Sequence, residues 1–347
     1  MTTPSTLPRT TAHSNASSRR SDWAAVLRRR ELLLLVAMVL IVIASTAAHS
    51  YFWSSRNISF ILADSMVTAI LALGETFVML SRGIDLSVAP MMGLSAVIVG
   101  FRVQDHGLTL VPAILLGIVV GLVLGLGNAL LVAIVGLPPI IATLGTLSVY
   151  GGLQFVITGG RQVDTVPNSF TDLGSKLVLP GIPRLLILGL VLVGITGFVL
   201  RHTIFGRNVY ATGDDAEAAF RAGIPVKRTL FLCYLICGAC AGIGGVVYLM
   251  RTGSAVATTG TDNNSNLLAI AAALIGGTAL TGGRGGALGA ITGAVFLSLT
   301  LAAMVFAHIG AVWQPAGVGV LILLAVVGDP RTRKLAVHRW KLHGHRP

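Results

Sequence analysis

Asp64 and Glu75 are carboxylates inside an otherwise apolar stretch, 58–80, and they stand eleven residues apart. Eleven residues at 100° each return to nearly the same helix face, with Thr68 and Leu71 on the stripe between them. Carboxylates at membrane depth are costly and face a cavity or a partner. Two chemistries fit: a polar wall along a solute path, or Asp64 near the outer interface with Glu75 bonded inside a helix bundle. Asn128 sits alone in another apolar stretch, as packing glue or as a path residue. The run "TDNNSN", 261–266, reads as a polar outer mouth whose hydroxyls and amides suit a neutral, hydroxyl-rich solute. A turn with helix caps explains it as well. The candidate path residues are thus Asp64, Thr68, Glu75, Asn128, Asn263, Asn264 and Asn266.

Covalent chemistry finds no support. The chain carries no G-x-x-x-x-G-K-[ST] phosphate loop, and the glycine-rich "TGGRGGALG", 281–289, lacks the lysine and reads as a tight turn. No nucleophile elbow, zincin motif or paired-carboxylate pattern occurs. The histidines are scattered, and "HGH" at 343–345 is a lone tail pattern rather than a metal site. Cys233, Cys237 and Cys240 share one helix face, a spacing that suits apolar packing.

The elements that must hold these residues are membrane spans. Of 347 residues, 54% are hydrophobic and only 11% charged, with mean hydropathy +0.84. That composition excludes an ordinary soluble domain. Ten spans are expected at about 32–50, 58–80, 86–103, 108–135, 138–158, 182–200, 229–250, 267–283, 286–306 and 309–327, by the roughly 20 apolar residues a crossing needs. The stretch after Arg28, Arg29 and Arg30 has the outline of a signal peptide, but its length and the spans that follow favour an uncleaved anchor. Residues 1–31 read as a disordered basic tail, 32–327 as the transmembrane domain, and 328–347 as a second basic tail.

The net charge of +12 is divided among tails and loops, so it marks topology rather than a nucleic-acid surface. With both ends cytoplasmic, 19 of the 25 Lys and Arg fall on the inner side, as the positive-inside rule requires. Glycines recur at i, i+4, i+8 in the fourth and ninth spans: Gly117, Gly121 and Gly125, then Gly285, Gly289 and Gly293. The correspondence suggests a five-plus-five inverted repeat; close helix packing alone also produces such ladders.

The inner loop 201–228 is the longest and the most structured in pattern. Asp214 followed by Glu217 has capping-box spacing, Gly223 suits a C′ position, and Pro225 blocks continuation. A short helix results, with Ala216, Ala218 and Ala219 and a protruding Phe220, shaped as a plug for another protein's groove. A helix this short needs tertiary support or a partner.

This loop, "GRNVYATGDDAEAAFRAGI" (206–224), resembles the coupling loop of membrane subunits of bacterial ABC importers of the ribose, xylose and galactoside type. "GIDLSV" (83–88), "IATLGT" (141–146), "TGGR" (158–161) and "LLAIAAALIGGTALTGGRGG" (267–286) match the same family in the same order. The resemblance implies an all-α inner-membrane permease working with a second permease copy or paralogue. It also implies a cytoplasmic ATP-binding subunit that uses ATP and Mg, and a periplasmic or lipid-anchored solute-binding protein. The chain itself would bind no cofactor. Coupling would run through Asp214, Asp215, Glu217, Ala219, Phe220 and Gly223. Gly83, Asp85 and Ser87 are expected to turn the chain and cap the third span. Two departures concern substrate identity: Ser265 and Asn266 precede Leu267 where a carboxylate is usual, and Ala279 replaces a serine. A secondary transporter using Asp64 and Glu75 for ion coupling is the rival reading.

Overall fold

The computed structural model describes residues 18–327, and the expectations for 1–17, for 328–347 and for the 343–345 pattern lie outside them. Ten helices cross or enter the membrane: α1 (Ser18–Ala48), α2 (Ser55–Leu80), α3 (Val88–His106), α4 (Leu110–Ala129), α5 (Pro139–Thr158), then, after the short outer α6 (Asn168–Ser175), α7 (Leu185–His202). Helices α8 (Ile204–Asp214) and α9 (Ala216–Arg221) lead to α10 (Val226–Thr252), α11 (Ser265–Ile275), α12 (Ala287–Phe306) and α13 (Gln314–Val327). Six of these are long and apolar enough to cross a membrane outright. The only strands among the described residues form a hairpin, β1 (Leu177–Leu179) and β2 (Ile182–Pro183), ahead of α7.

Two boundaries differ from expectation. Helix α1 begins at Ser18, inside the segment expected to be a disordered tail, because Ala24, Ala25 and Arg28–Arg30 are good helix formers continuous with the span. Helix α11 stops at Ile275 rather than running to residue 283. Gly277, Gly282, Gly283 and Gly285 all take positive φ, so 276–286 folds as a turn system.

The centre of the bundle is α3, buried at every residue from Ser87 to Val97 and packed against α4, α5 and α10. Helix α4 shows how the ring closes. Its buried stripe is Ala113, Gly117, Gly121, Gly125 and Asn128, while Val111, Leu115, Val119 and Val123 point outward to lipid. A Cβ at Gly121 would strike the carbonyl oxygen of Gly238, and one at Gly117 would strike that of Gly242, so the α4 and α10 backbones pack with nothing between them. In the ninth span Gly289 and Gly293 make the same close approach to Gly276 and Ala272, but Gly285 lies before the helix, which begins at Ala287.

Helix pairings repeat between the halves. Helix α4 packs on α10 and α12 on α2; α3 meets α10 and α5, as α11 meets α2 and α13. Each pair maps onto the other when the first five spans are exchanged for the last five, the relation expected of an inverted repeat.

Candidate functional site: a capped short helix on a buried polar network

Helix α9 has six residues, and both its ends are closed by identifiable bonds. The cap is Asp215, not Asp214: its Oδ1 accepts from the N–H groups of Glu217 and Ala218, at 2.9 and 3.0 Å. Asp214 is the last residue of α8, so the spacing that pointed to it was displaced by one. At the far end Gly223, φ 79°, donates to the Phe220 carbonyl, and Ile224 N donates to Ala219 O, the paired bonds of a Schellman motif. Phe220 is 72% exposed, whereas Ala219 is buried at 4% and packs inward, so it is removed from the plug's outer surface. Glu217 pairs with Arg221 one turn on, and both stay exposed.

Backbone N–H groups of Ala218 and Glu217 hold the Asp215 carboxyl below the ordinary carboxylate range. A lowered folded-state pKa means that the cap contributes at neutral pH and is lost as pH falls through that lowered value. Asparagine at this position accepts the same bonds without titrating. Hydrogen-exchange protection of the α9 amides is therefore expected to fall on acidification in the parent and to stay flat in Asp215→Asn.

Arg82 fastens this unit to the bundle. Its guanidinium donates to the Asp214 carbonyl through Nη2 and to the Thr281 carbonyl through Nε at 2.9 Å, joining the α2, α8 and α11–α12 turns. Arg82 itself is the left-handed residue that ends α2, φ 65°, with Arg82 N donating to Met79 O and Gly83 N to Val78 O. Gly83 was expected to make that turn. Its requirement is different: a Cβ there would lie 2.6 Å from the Tyr234 hydroxyl oxygen and 2.8 Å from Val78 Cγ1.

Beyond Gly83 the chain enters a fully buried polar network. Asp85 does not cap the helix at an exposed mouth: it is 0% exposed, and its Oδ1 accepts from Ser87 N at 2.9 Å and Ser87 Oγ at 2.7 Å. Ser87 occupies the cap position of α3 without a side-chain cap bond. Asp85 Oδ2 accepts from Asn128 Nδ2 at 3.0 Å, and Thr146 Oγ1 donates to Asn128 Oδ1 at 2.7 Å. Glu75 Oε1 accepts from Asp85 N at 3.0 Å. Glu75 and Asn128, expected as path residues, are both 0% exposed and belong to this buried network. Leu71, expected on a polar stripe, is also 0% exposed because Gly244 lets it sink against α10.

Asp64 lies in the N-terminal half of α2, about 16 Å from Glu75 at 1.5 Å per residue, so the two carboxylates share no site. It pairs with Arg251 at 2.8 Å, accepts weakly from Ser298 Oγ at 3.4 Å, and Arg251 in turn covers the Phe60 ring. Thr68, one turn inward, is half-buried. The pattern of spans gave no hint of Arg251 as a partner, although an arginine in the last turn of an apolar helix is itself a signal.

Asn263, Asn264 and Asn266 were expected at an outer mouth, and they lie deeper. Ala255 bridges to Val163, whose side chain packs on Gly100 near the outer end of α3. The chain then descends: Thr259 O lies against Gly93 and accepts from Gln154 Nε2 at 3.0 Å, and Gly260 lies against Ala89 and Met92. Asn263 and Asn264 are exposed and Asn266 half-buried. Asn264 adopts φ 48° before α11 and makes no side-chain cap bond. Sequence reasoning passed over Asp262, exposed beside them, and Gln154, whose place inside an apolar span was the available sign.

Residues 57–327 match the model of a family described as branched-chain amino acid transport system / permease component. Relatives include the autoinducer 2 import system permease protein LsrC of Salmonella paratyphi B, 34% identical over 287 residues, covering 83% of this chain and 82% of that protein. The proteins of the same description from Shigella flexneri and Escherichia coli K12 are 34% and 33% identical over 282 residues, 81% of each chain. No solved structure matches.

Proposed function

The chain belongs to the branched-chain amino acid transport system / permease component family, and from that membership we propose that it lines the path of a small, neutral, hydroxylated solute. It is a bacterial inner-membrane permease subunit of a sugar-type ABC importer, and such a subunit performs no covalent chemistry. The solute class is a monosaccharide or polyol, or the autoinducer 2 for which the LsrC relatives are named. The path forms between this chain and a second copy or a paralogue. An ATP-binding subunit on the cytoplasmic face uses ATP and Mg, and a periplasmic or lipid-anchored protein delivers the solute.

The observation that carries this reading is α9. A six-residue helix closed at both ends, with Phe220 in water and Arg82 tying its base to two other inner turns, is a shape for transmitting force from a partner. The secondary-transporter rival is not favoured. Asp64 is neutralised by Arg251, and Glu75 is sealed inside the protomer with Asp85 and Cys237.

The test begins with affinity purification of the tagged permease from native membranes in mild detergent. An ATP-binding subunit with tandem nucleotide domains and a solute-binding protein are expected to co-purify. In proteoliposomes the complex is expected to accumulate autoinducer 2, a pentose, a hexose or a polyol only when ATP is supplied. Accumulation without ATP, or of leucine in place of every hydroxylated solute, overturns the reading.

A further inference from the structure

Between α10 and α11 the chain goes back into the membrane without a helix. Its course is fixed against α3: Ala255 at the level of Gly100, Thr259 at Gly93, Gly260 at Ala89 and Met92. Thr259, against Gly93, lies about 20 Å from the His106 end of α3 at 1.5 Å per residue, more than half the roughly 28 Å length of that helix. Helix α11 therefore starts deep and has only 11 residues. Two further features pin the segment. Gly93 leaves the space that Gln154 Nε2 and Thr259 O occupy, and a Cβ on Gly260, φ 88°, would lie 2.5 Å from the Ala89 carbonyl.

Irregular backbone at membrane depth survives only inside protein or beside water. Here only part of it is inside the protein: Thr259 and Gly260 are buried against α3. Asp262, Asn263 and Asn264 are exposed, with Thr261, Ser265 and Asn266 half-buried around them. A carboxylate and two amides facing lipid at that depth would be expensive, and among the described residues Asp262 forms no salt bridge of the kind Asp64 makes with Arg251. The contrast with α4 is direct, since its outward face is Val111, Leu115, Val119 and Val123.

We infer that residues 258–266 form a re-entrant segment facing a water-filled passage at half membrane depth, and that Asp262 with Asn263 and Asn264 is the place where the solute's hydroxyl groups are held on the way through. The inference rests on the permease reading and adds a location and a residue to it. A carboxylate accepts from two neighbouring hydroxyls at once, and the amides supply both donors and acceptors. A vicinal diol is the group that this set recognises.

Accessibility tests the location without knowledge of the solute. In membrane vesicles containing the whole importer, Asn263→Cys is treated with a membrane-impermeant sulfonate thiol reagent, with Leu115→Cys on the lipid face for comparison. The parent's own cysteines, two buried and one half-buried, set the background. Asn263→Cys is expected to react at least about 10-fold faster than Leu115→Cys, because thiolate forms only in water. Its accessible side is expected to change between nucleotide-free and vanadate-trapped complexes. Reaction as slow as Leu115→Cys, or protection in every nucleotide state by a second copy, overturns the inference. Asp262→Cys serves as the second site should the first variant fail to insert. Separately, Asp262→Asn is expected to lower uptake of a diol-bearing solute at least about 10-fold, the loss of a charge-assisted bond pair. Normal uptake in that variant overturns the role of Asp262. Fast labelling with no uptake of any hydroxylated solute leaves the passage in place and removes the proposed solute class instead.

Discussion

Replacing Glu217 and Phe220 together by alanine is expected to reduce ATP-driven uptake about 30-fold, the effect of losing one interface anchor of roughly 2 kcal/mol, while the permease still inserts and folds. The fold is spared because neither side chain supports it. Phe220 is 72% exposed, and the Glu217–Arg221 pair is exposed on both sides, where ion pairs contribute little. What holds α9 is the Asp215 cap, the Gly223 motif and buried Ala219, all left in place. An exposed phenylalanine on a charged inner surface has its apolar area to offer a partner and nothing within the chain. Two measurements separate the possible failures: co-purification reports assembly, and the ratio of solute moved to ATP hydrolysed reports coupling. Loss of either with normal expression fits the assignment. Unchanged assembly and an unchanged ratio would remove it.

The bundle was legible in the sequence to the extent that hydropathy alone decides structure. Helices α2, α4, α5, α7, α10 and α12 start and stop near their expected limits because apolar length and glycine or proline punctuation set those limits locally. What was not legible depends on contacts between distant residues. Nothing in "LSRGID" says that Arg82 rather than Gly83 takes the left-handed position, because the choice is made by Tyr234 and Val78 pressing on residue 83 and by two carbonyls, of Asp214 and Thr281, that reward an arginine there. Likewise, Glu75 and Asn128 look alike as isolated polar residues in spans. Only the meeting of α2, α4 and the 81–87 turn makes them members of one network.

The same limit hid the re-entrant segment. Its composition fits an outer loop, and only its packing on Gly93 and Ala89 places it deep. The helix pairings give that depth a counterpart. Helices α3 and α11 occupy equivalent places in the two halves, so the turn before α3 and the segment before α11 correspond, one entering from inside and the other from outside. The inner one folds its carboxylate, Asp85, into the protein, and the outer one leaves Asp262 exposed. One half of the repeat thus uses the position as a joint and the other as a surface.

If Asp85 is that joint, its removal has a large and specifically reversible effect. Asp85→Ala strips the acceptor from Ser87 N, Ser87 Oγ and one Asn128 Nδ2 proton, all buried; the hydroxyl can turn elsewhere, and the two N–H groups cost about 1–3 kcal/mol each. The folded fraction of the solubilised permease is therefore expected to fall on the order of 100-fold relative to the parent. Asp85→Asn keeps an oxygen for Ser87 but sets its own NH₂ against that of Asn128, two donors facing at a place where 3.0 Å now separates donor from acceptor. Adding Asn128→Asp to Asp85→Asn reverses both ends of that bond. Residue 85 then donates, residue 128 accepts, Ser87 Oγ, which had accepted from Asn128 Nδ2 at 2.8 Å, turns its proton toward residue 128, Thr146 Oγ1 can still donate there, and the number of carboxylates is unchanged. Thermal stability in detergent is expected to fall in the order parent, swapped pair, Asp85→Asn, Asp85→Ala, with the swap recovering most of what the single change loses, a coupling only directly touching groups display. A role confined to general polarity would leave Asp85→Asn as stable as the parent and give the swap nothing to recover. A role as a solute ligand would lower uptake in all three variants with stability intact. The buried hydrogen-bond geometry predicts the opposite ranking, with uptake following the amount of folded protein, because Asp85 meets no solvent from which a solute could reach it.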